Sequence, residues 1–179
     1  MRARRPVIGV MGSGSAPWSE RALPLGELLA RLGVHLLTGG GAGVMAAVAE
    51  AFVAVSPRAG LSLGVLPCVE GDPGCGPPPG YPNAWVELAV ATHLPHSGAR
   101  GCEVTSRNHV NVLTSDAVVV LPGGAGTASE SRLALRYGRP VVAWLELADE
   151  LPGLAPGVSV VNSLSEVERF LRRSVPGLG

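Results

Sequence analysis

The chain has 179 residues, no formal net charge, 46% apolar residues and few aromatics. That length suits one α/β domain with a Val-, Leu-, Ala- and Ile-built core, spanning residues 1–179, and is short for two. Charge balance argues against a nucleic-acid or membrane-surface partner recruited electrostatically, and the absence of any lysine excludes a pyridoxal-phosphate enzyme, which needs one for its Schiff base.

Residues 1–12 lack the apolar core of a secretory leader, and no apolar run is long enough to span a membrane. The reading is a cytoplasmic protein with Cys68, Cys75 and Cys102 reduced. Pro6–Met11 predicts a first strand. Gly12-Ser13-Gly14-Ser15 then opens a helical pattern from Trp18 to Leu32, in which Pro24 predicts a kink or restart and Gly33 an end. Strand, glycine turn and helix make the first half of a nucleotide-binding βαβ unit, but the third glycine of a full dinucleotide fingerprint is missing. Val34–Thr38 is the second strand, with His35 read as a core or edge histidine. A second glycine turn, Gly39-Gly40-Gly41-Ala42-Gly43, opens a helix to about Val55, in which Met45 and Val48 read as core.

Leu61–Leu66 is the third strand. The proline-rich stretch from Pro67 to Pro82 is a long loop of the kind that is commonly functional. Trp85–Val90 reads as a fourth strand with Glu87 exposed or at an edge, followed by a loop from Thr92 to Gly101. Cysteine and histidine types in this region suit zinc, but their spacing does not: there is no C-x-x-C, and His93-x-x-His96 spans a proline. No metal is expected. From Cys102 to Ser115 the pattern predicts a helix with Val104, Val110 and Leu113 on one face.

Ala117–Leu121 is a short apolar run of the kind buried on both faces of a parallel sheet. Pro122-Gly123-Gly124-Ala125-Gly126-Thr127 follows, then a helix from Ala128 to Tyr137. A glycine turn between a strand's carboxyl end and a helix is where α/β sheets bind ligands. Its glycines permit close approach, and the unpaired N–H groups of the helix's first turn attract an anion. Thr127 adds a hydroxyl, and Glu130 adds a carboxylate at capping-box spacing from Thr127. A phosphate cradle with a carboxylate at its edge is favoured over a plain capped turn. Val141–Trp144 and Val158–Val161 are the last strands, separated by a loop from Leu145 to Pro156. Ser163 with Glu166 predicts a capping box on a final helix to Arg173. The whole reads as a Rossmann-like, doubly wound α/β fold, a mostly parallel sheet with helices on both faces.

Pro-Gly-Gly-x-Gly-Thr-x-x-Glu, with Arg107 fifteen positions before Pro122, resembles the signature of the LOG family, the cytokinin riboside 5'-monophosphate phosphoribohydrolases long labelled lysine decarboxylases. Arg107, Pro122, Gly123, Gly124, Gly126, Thr127 and Glu130 match in register, and the Gly39 to Met45 block resembles a second family motif. The family's usual Arg-Lys is Arg107-Asn108 here, and its Glu-Glu is Ser129-Glu130. The Arg-Asn form is more similar to a sister branch of the same Rossmann-like superfamily that includes the molybdenum cofactor carrier proteins.

The resemblance implies N-glycosidic cleavage of a nucleoside 5'-monophosphate to free base and ribose 5-phosphate. Arg107 and Glu130 would be catalytic. Gly12, Ser13, Gly39, Gly40, Gly41, Asn108, Pro122, Gly123, Gly124, Gly126 and Thr127 would hold the ligand and its phosphate, with no cofactor. Two other readings of Arg107 stand beside this one: a surface arginine, or the ion-pair partner of Asp116. The alternative function is a non-catalytic carrier or sensor of a nucleotide, a pterin such as the molybdenum cofactor, or another phosphorylated small molecule. The retained Arg107/Glu130 pair tips the reading toward the enzyme. The resemblance also implies a homo-oligomer, a dimer or larger.

Overall fold

A computed structural model describes residues 4–178; Met1 to Ala3 of the segment weighed as a leader lie outside them. Seven strands form one sheet in the order β4-β3-β2-β1-β5-β6-β7. They are β1 (Val7–Met11), β2 (His35–Thr38), β3 (Ser62–Leu66), β4 (Leu88–Ala91), β5 (Ala117–Val120), β6 (Val141–Trp144) and β7 (Ser159–Val161). Every pairing is parallel, so the sheet is wholly rather than mostly parallel. β1 and β5 are buried along their whole length, which is why they read as unbroken apolar runs.

Helices α1 (Ser19–Arg31), α2 (Val44–Ala54) and α5 (Leu164–Ser174) share one core with the sheet, built from Ile8, Val10, Leu25, Leu29, Val48, Phe52, Val167 and Leu171. Helices α3 (Asn108–Thr114) and α4 (Ala125–Arg136) cover the other face with Met11, Val112, Val118, Val120 and Leu133. The fold is therefore doubly wound, and the strand order reverses direction between β1 and β5, where such sheets leave a crevice.

Several elements differ from the sequence reading. α1 runs through Pro24 as one helix. The stretch expected to be helical from Cys102 is turns as far as Arg107, and only the following seven residues coil. The physical reason is competition: His96 N–H donates to Thr105 O at 3.3 Å, His96 and Ser106 form a parallel bridge, and Ser106 Oγ accepts from Asn108 N–H at 3.2 Å. A Thr105 carbonyl engaged by His96 is not available to a helical ladder. Val104, expected to share a helical face with Val110 and Leu113, lies in these turns and is 90% exposed.

β4 starts at Leu88, and the Glu87 carboxylate just before it accepts from Ser62 N–H and pairs with Arg58. α4 starts at Ala125 with Gly124 as its N-cap. Thr127 therefore lies inside the helix and forms no capping box with Glu130. At α5, Glu166 does reach back, to Asn162 N–H at 3.2 Å, while Ser163 Oγ bonds Glu166 at 2.8 Å instead of capping the backbone. His35 is a structural histidine: its Nδ1 accepts from Leu61 N–H at 3.0 Å, and burial holds its pKa down.

Candidate functional site

A pocket of about 340 Å³ opens at the carboxyl ends of β1, β2 and β5. That size is in the range of small-molecule sites. Three glycine-rich turns converge on it, and Ser13 laces them together. Its N–H donates to Pro122 O at 2.9 Å, and its carbonyl accepts from Val44 N–H at 2.9 Å. Its Oγ accepts from Ser15 and Ala16 N–H at 3.2 and 3.0 Å, which shapes the turn after β1.

The turn after β5 is fixed from behind. Gly123 N–H donates to Glu150 O at 3.0 Å, and the Glu150 side chain is held by Arg21 through two bonds of 2.8 and 2.9 Å. The Arg21 bond keeps the Glu150 carboxyl below its ordinary range. The first repeating bond of α4 runs from Ala128 N–H to Gly124 O. The N–H groups of Ala125, Gly126 and Thr127 therefore have no helical carbonyl partner, and they stand at the positive end of the helix dipole. Gly124, Gly126 and Thr127 line the pocket.

Arg107 enters from the N-cap of α3 and is 5% exposed. Its Nη1 donates to Val65 O at 2.8 Å, while its Nε is buried with no partner. The guanidinium fills the space behind Gly39, where a Cβ would fall 2.2 Å from Nη1. None of the ion pairs among the described residues includes it. The two bland readings of Arg107 are thereby corrected. It is not a surface residue, and Asp116 instead pairs with Arg4 and accepts Val7 N–H at 2.8 Å.

Glu130 is also buried. It accepts from Asn111 Nδ2 at 3.0 Å, leaving Asn111 Oδ1 without a partner. Burial pushes the Glu130 pKa up, and this outweighs the Arg107 charge and the Asn111 bond, which pull it down. A buried guanidinium lacking a close carboxylate is costly to maintain without an anion, and perturbed ionisable groups in a cleft mark candidate sites.

The structure brings Gly12, Ser13, Gly39, Arg107, Asn108, Gly124, Gly126, Thr127 and Glu130 to one pocket. Gly40, Gly41, Pro122 and Gly123 stand behind that lining as supports. Sequence reasoning missed Tyr81, Ser97 and Gly98, which line the pocket from the two long loops, and Asn111, the partner of Glu130. It assigned Met45 to the core alone, whereas this side chain also faces the pocket. Only the length of the proline-rich loop signalled that part of the chain. Among the described residues no group of three or more His, Cys, Asp or Glu is placed to hold a metal ion, and no helix is long and apolar enough to cross a membrane.

Comparison with known proteins agrees with this fold. The solved molybdenum cofactor binding protein of the phototrophic bacterium Rippkaea orientalis is similar at a TM-score of 0.71 and 28% identity, over 95% of this chain and 97% of that one. The Moco carrier protein of Chlamydomonas reinhardtii is similar at 0.66 and 29%, over 95% and 99%. An uncharacterised protein of Archaeoglobus fulgidus is 32% identical over 136 residues, 75% of this chain and 76% of its own length. The SLOG cluster4 family profile matches residues 5–153, a span that holds β1 to β6, all three glycine turns, Arg107 and Glu130, and the chain belongs to that family.

Proposed function

We propose that this protein binds a phosphorylated small molecule in the β1–β5 crevice and serves as its carrier or sensor. The observation that carries the reading is Arg107: a nine-tenths-buried cation with no carboxylate in ion-pair reach among the described residues, in the wall of a pocket that also contains the open N-terminus of α4. Both features favour an anion. Similarity at 28–29% identity to proteins that bind or carry the molybdenum cofactor, a phosphorylated molecule, supports a cargo of that kind.

A second reading, nucleoside 5'-monophosphate phosphoribohydrolase, is favoured by Glu130. A carboxylate in the pocket wall can stabilise oxocarbenium charge or orient water. Native mass spectrometry of protein purified from its own host, run beside a nucleoside 5'-monophosphate turnover panel, separates the two. The carrier reading expects a co-purifying phosphorylated ligand and no released base. Base release that is abolished in Glu130→Gln overturns it in favour of the hydrolase.

A cytoplasmic homo-oligomer belongs to the same proposal. The oligomer is supported by edge strand β4, where Leu88 and Val90 are 48% and 38% exposed. Size-exclusion chromatography with light scattering tests it, and a monomer at micromolar concentration removes it.

A further inference from the structure

The proline-rich loop from Pro67 to Pro82 has no regular structure of its own, yet its end is held firmly at the pocket. Asn83 N–H donates to Gly40 O at 2.8 Å, and Asn83 Nδ2 donates to Gly41 O at 2.8 Å. These bonds set Tyr81 directly on the second glycine turn: a Cβ on Gly41 would fall 2.7 Å from the ring Cζ and from the hydroxyl. The ring centroid also lies 5.9 Å from the Arg107 guanidinium carbon, within cation–π reach. Among the described residues Tyr81 is the one aromatic side chain lining the pocket, and Val10, Met11 and Met45 supply further apolar lining.

The pocket thus carries two chemistries. The α4 N-terminus offers N–H groups suited to a phosphate. Tyr81, packed on the second glycine turn, offers an aromatic face, and Met45 in the pocket lining offers a polarizable thioether. An inorganic phosphate alone would leave most of the 340 Å³ unfilled. Flat π-systems with little conformational freedom are what an aromatic side chain selects, whatever the pattern of ring nitrogens.

We propose that Tyr81 is a specificity-determining residue of this site and stacks on a planar nitrogen heterocycle borne by the phosphorylated ligand. The proposal rests on the phosphate-binding reading above and adds the class of the group attached to the phosphate. Tyr81 acts as a binding surface, through its ring rather than its hydroxyl.

The test is calorimetric titration of the full chain with ribose 5-phosphate, AMP, GMP and a pterin phosphate, followed by Tyr81→Ala and Tyr81→Phe. The native protein should bind at least one heterocyclic probe more tightly than ribose 5-phosphate. Tyr81→Ala should weaken that probe roughly 5- to 100-fold while leaving ribose 5-phosphate within about twofold, and Tyr81→Phe should restore the native affinity. Equal affinity of the native protein for ribose 5-phosphate and every heterocyclic probe would overturn the role of Tyr81 and leave phosphate binding standing. So would an alanine variant that binds all probes as the native protein does, or one that loses ribose 5-phosphate and heterocycle in parallel. A native protein that binds none of the four probes would remove the phosphate-binding reading itself, and the proposal with it.

Discussion

Gly39→Ala is the sharpest probe of how the site is assembled. The added methyl group would fall 2.2 Å from Arg107 Nη1, 2.6 Å from Nη2 and 2.8 Å from Cζ, separations that no real contact tolerates. Gly39 does not use the left-handed backbone region, and the three atoms nearest an added methyl group all belong to the guanidinium. Arg107 is 5% exposed and bonded to Val65 O, so it cannot swing freely into solvent. Moving it breaks a charged hydrogen bond, about 1.5–3 kcal/mol, or strains the packing by about 1–3 kcal/mol. A central cost of about 2 kcal/mol lowers Tm by roughly 4–8 °C for a chain of this size. The decisive comparison is a double-mutant cycle read by urea denaturation. With Arg107→Ala already in place the clash is gone. Alanine at position 39 should then be neutral, or stabilising by up to about 1 kcal/mol through loss of unfolded-state entropy. An equal cost in both backgrounds would refute the contact between Gly39 and Arg107 as the origin of the effect.

Glu130→Gln should keep the Asn111 bond and remove the titration. Because the native carboxyl titrates above its ordinary value of 4.5, the folded state holds the extra proton, and native stability falls as pH rises through the raised value. The Tm of the variant should converge with that of the native protein below the ordinary value and exceed it at neutral pH; a constant difference across the range would count against the burial of Glu130. Arg21→Leu strands Glu150, whose side chain is 11% exposed, and should lower stability by about 3–5 kcal/mol in urea titrations at neutral pH. The Glu150 carboxyl is held low by Arg21, so its contribution is present above the ordinary carboxylate value and lost on acidification, and the gap between variant and native protein should narrow in acid. Gly26→Ala should destabilise, despite alanine's helix preference of about 1 kcal/mol, because its Cβ would lie 2.4 Å from Val48 O where α1 crosses α2. A rise in Tm for that variant would show that the two helices separate at little cost.

The sheet was legible because its strands are short and fully buried: Ala117–Val120 and Val7–Met11 can be little else. The glycine turns were legible because glycine marks the strand-to-helix turns that face a ligand. The helix preceding Arg107 was misread because apolar spacing at Val104, Val110 and Leu113 imitates a helical face, while the bonds that stop the helix come from His96, which no local pattern reveals. Tyr81 and Asn111 were missed for a related reason. Tyr81 reaches the pocket through a long aperiodic loop pinned by Asn83, and Asn111 looks like any polar residue on a short helix until Glu130 is placed opposite it. Capping-box spacing at Thr127 and Glu130 misled because α4 begins earlier, at Ala125. Contacts that are distant in sequence decide each of these cases.

The most direct test of the site is calorimetric comparison of ribose 5-phosphate with ribose at fixed ionic strength. Phosphate recognition by the α4 N-terminus and Arg107 should make the phosphorylated sugar bind at least about tenfold tighter, the equivalent of one charged hydrogen bond, with the preference fading as salt is raised. Equal affinities for the two sugars, or tighter binding of ribose, would contradict an anion site in the β1–β5 crevice.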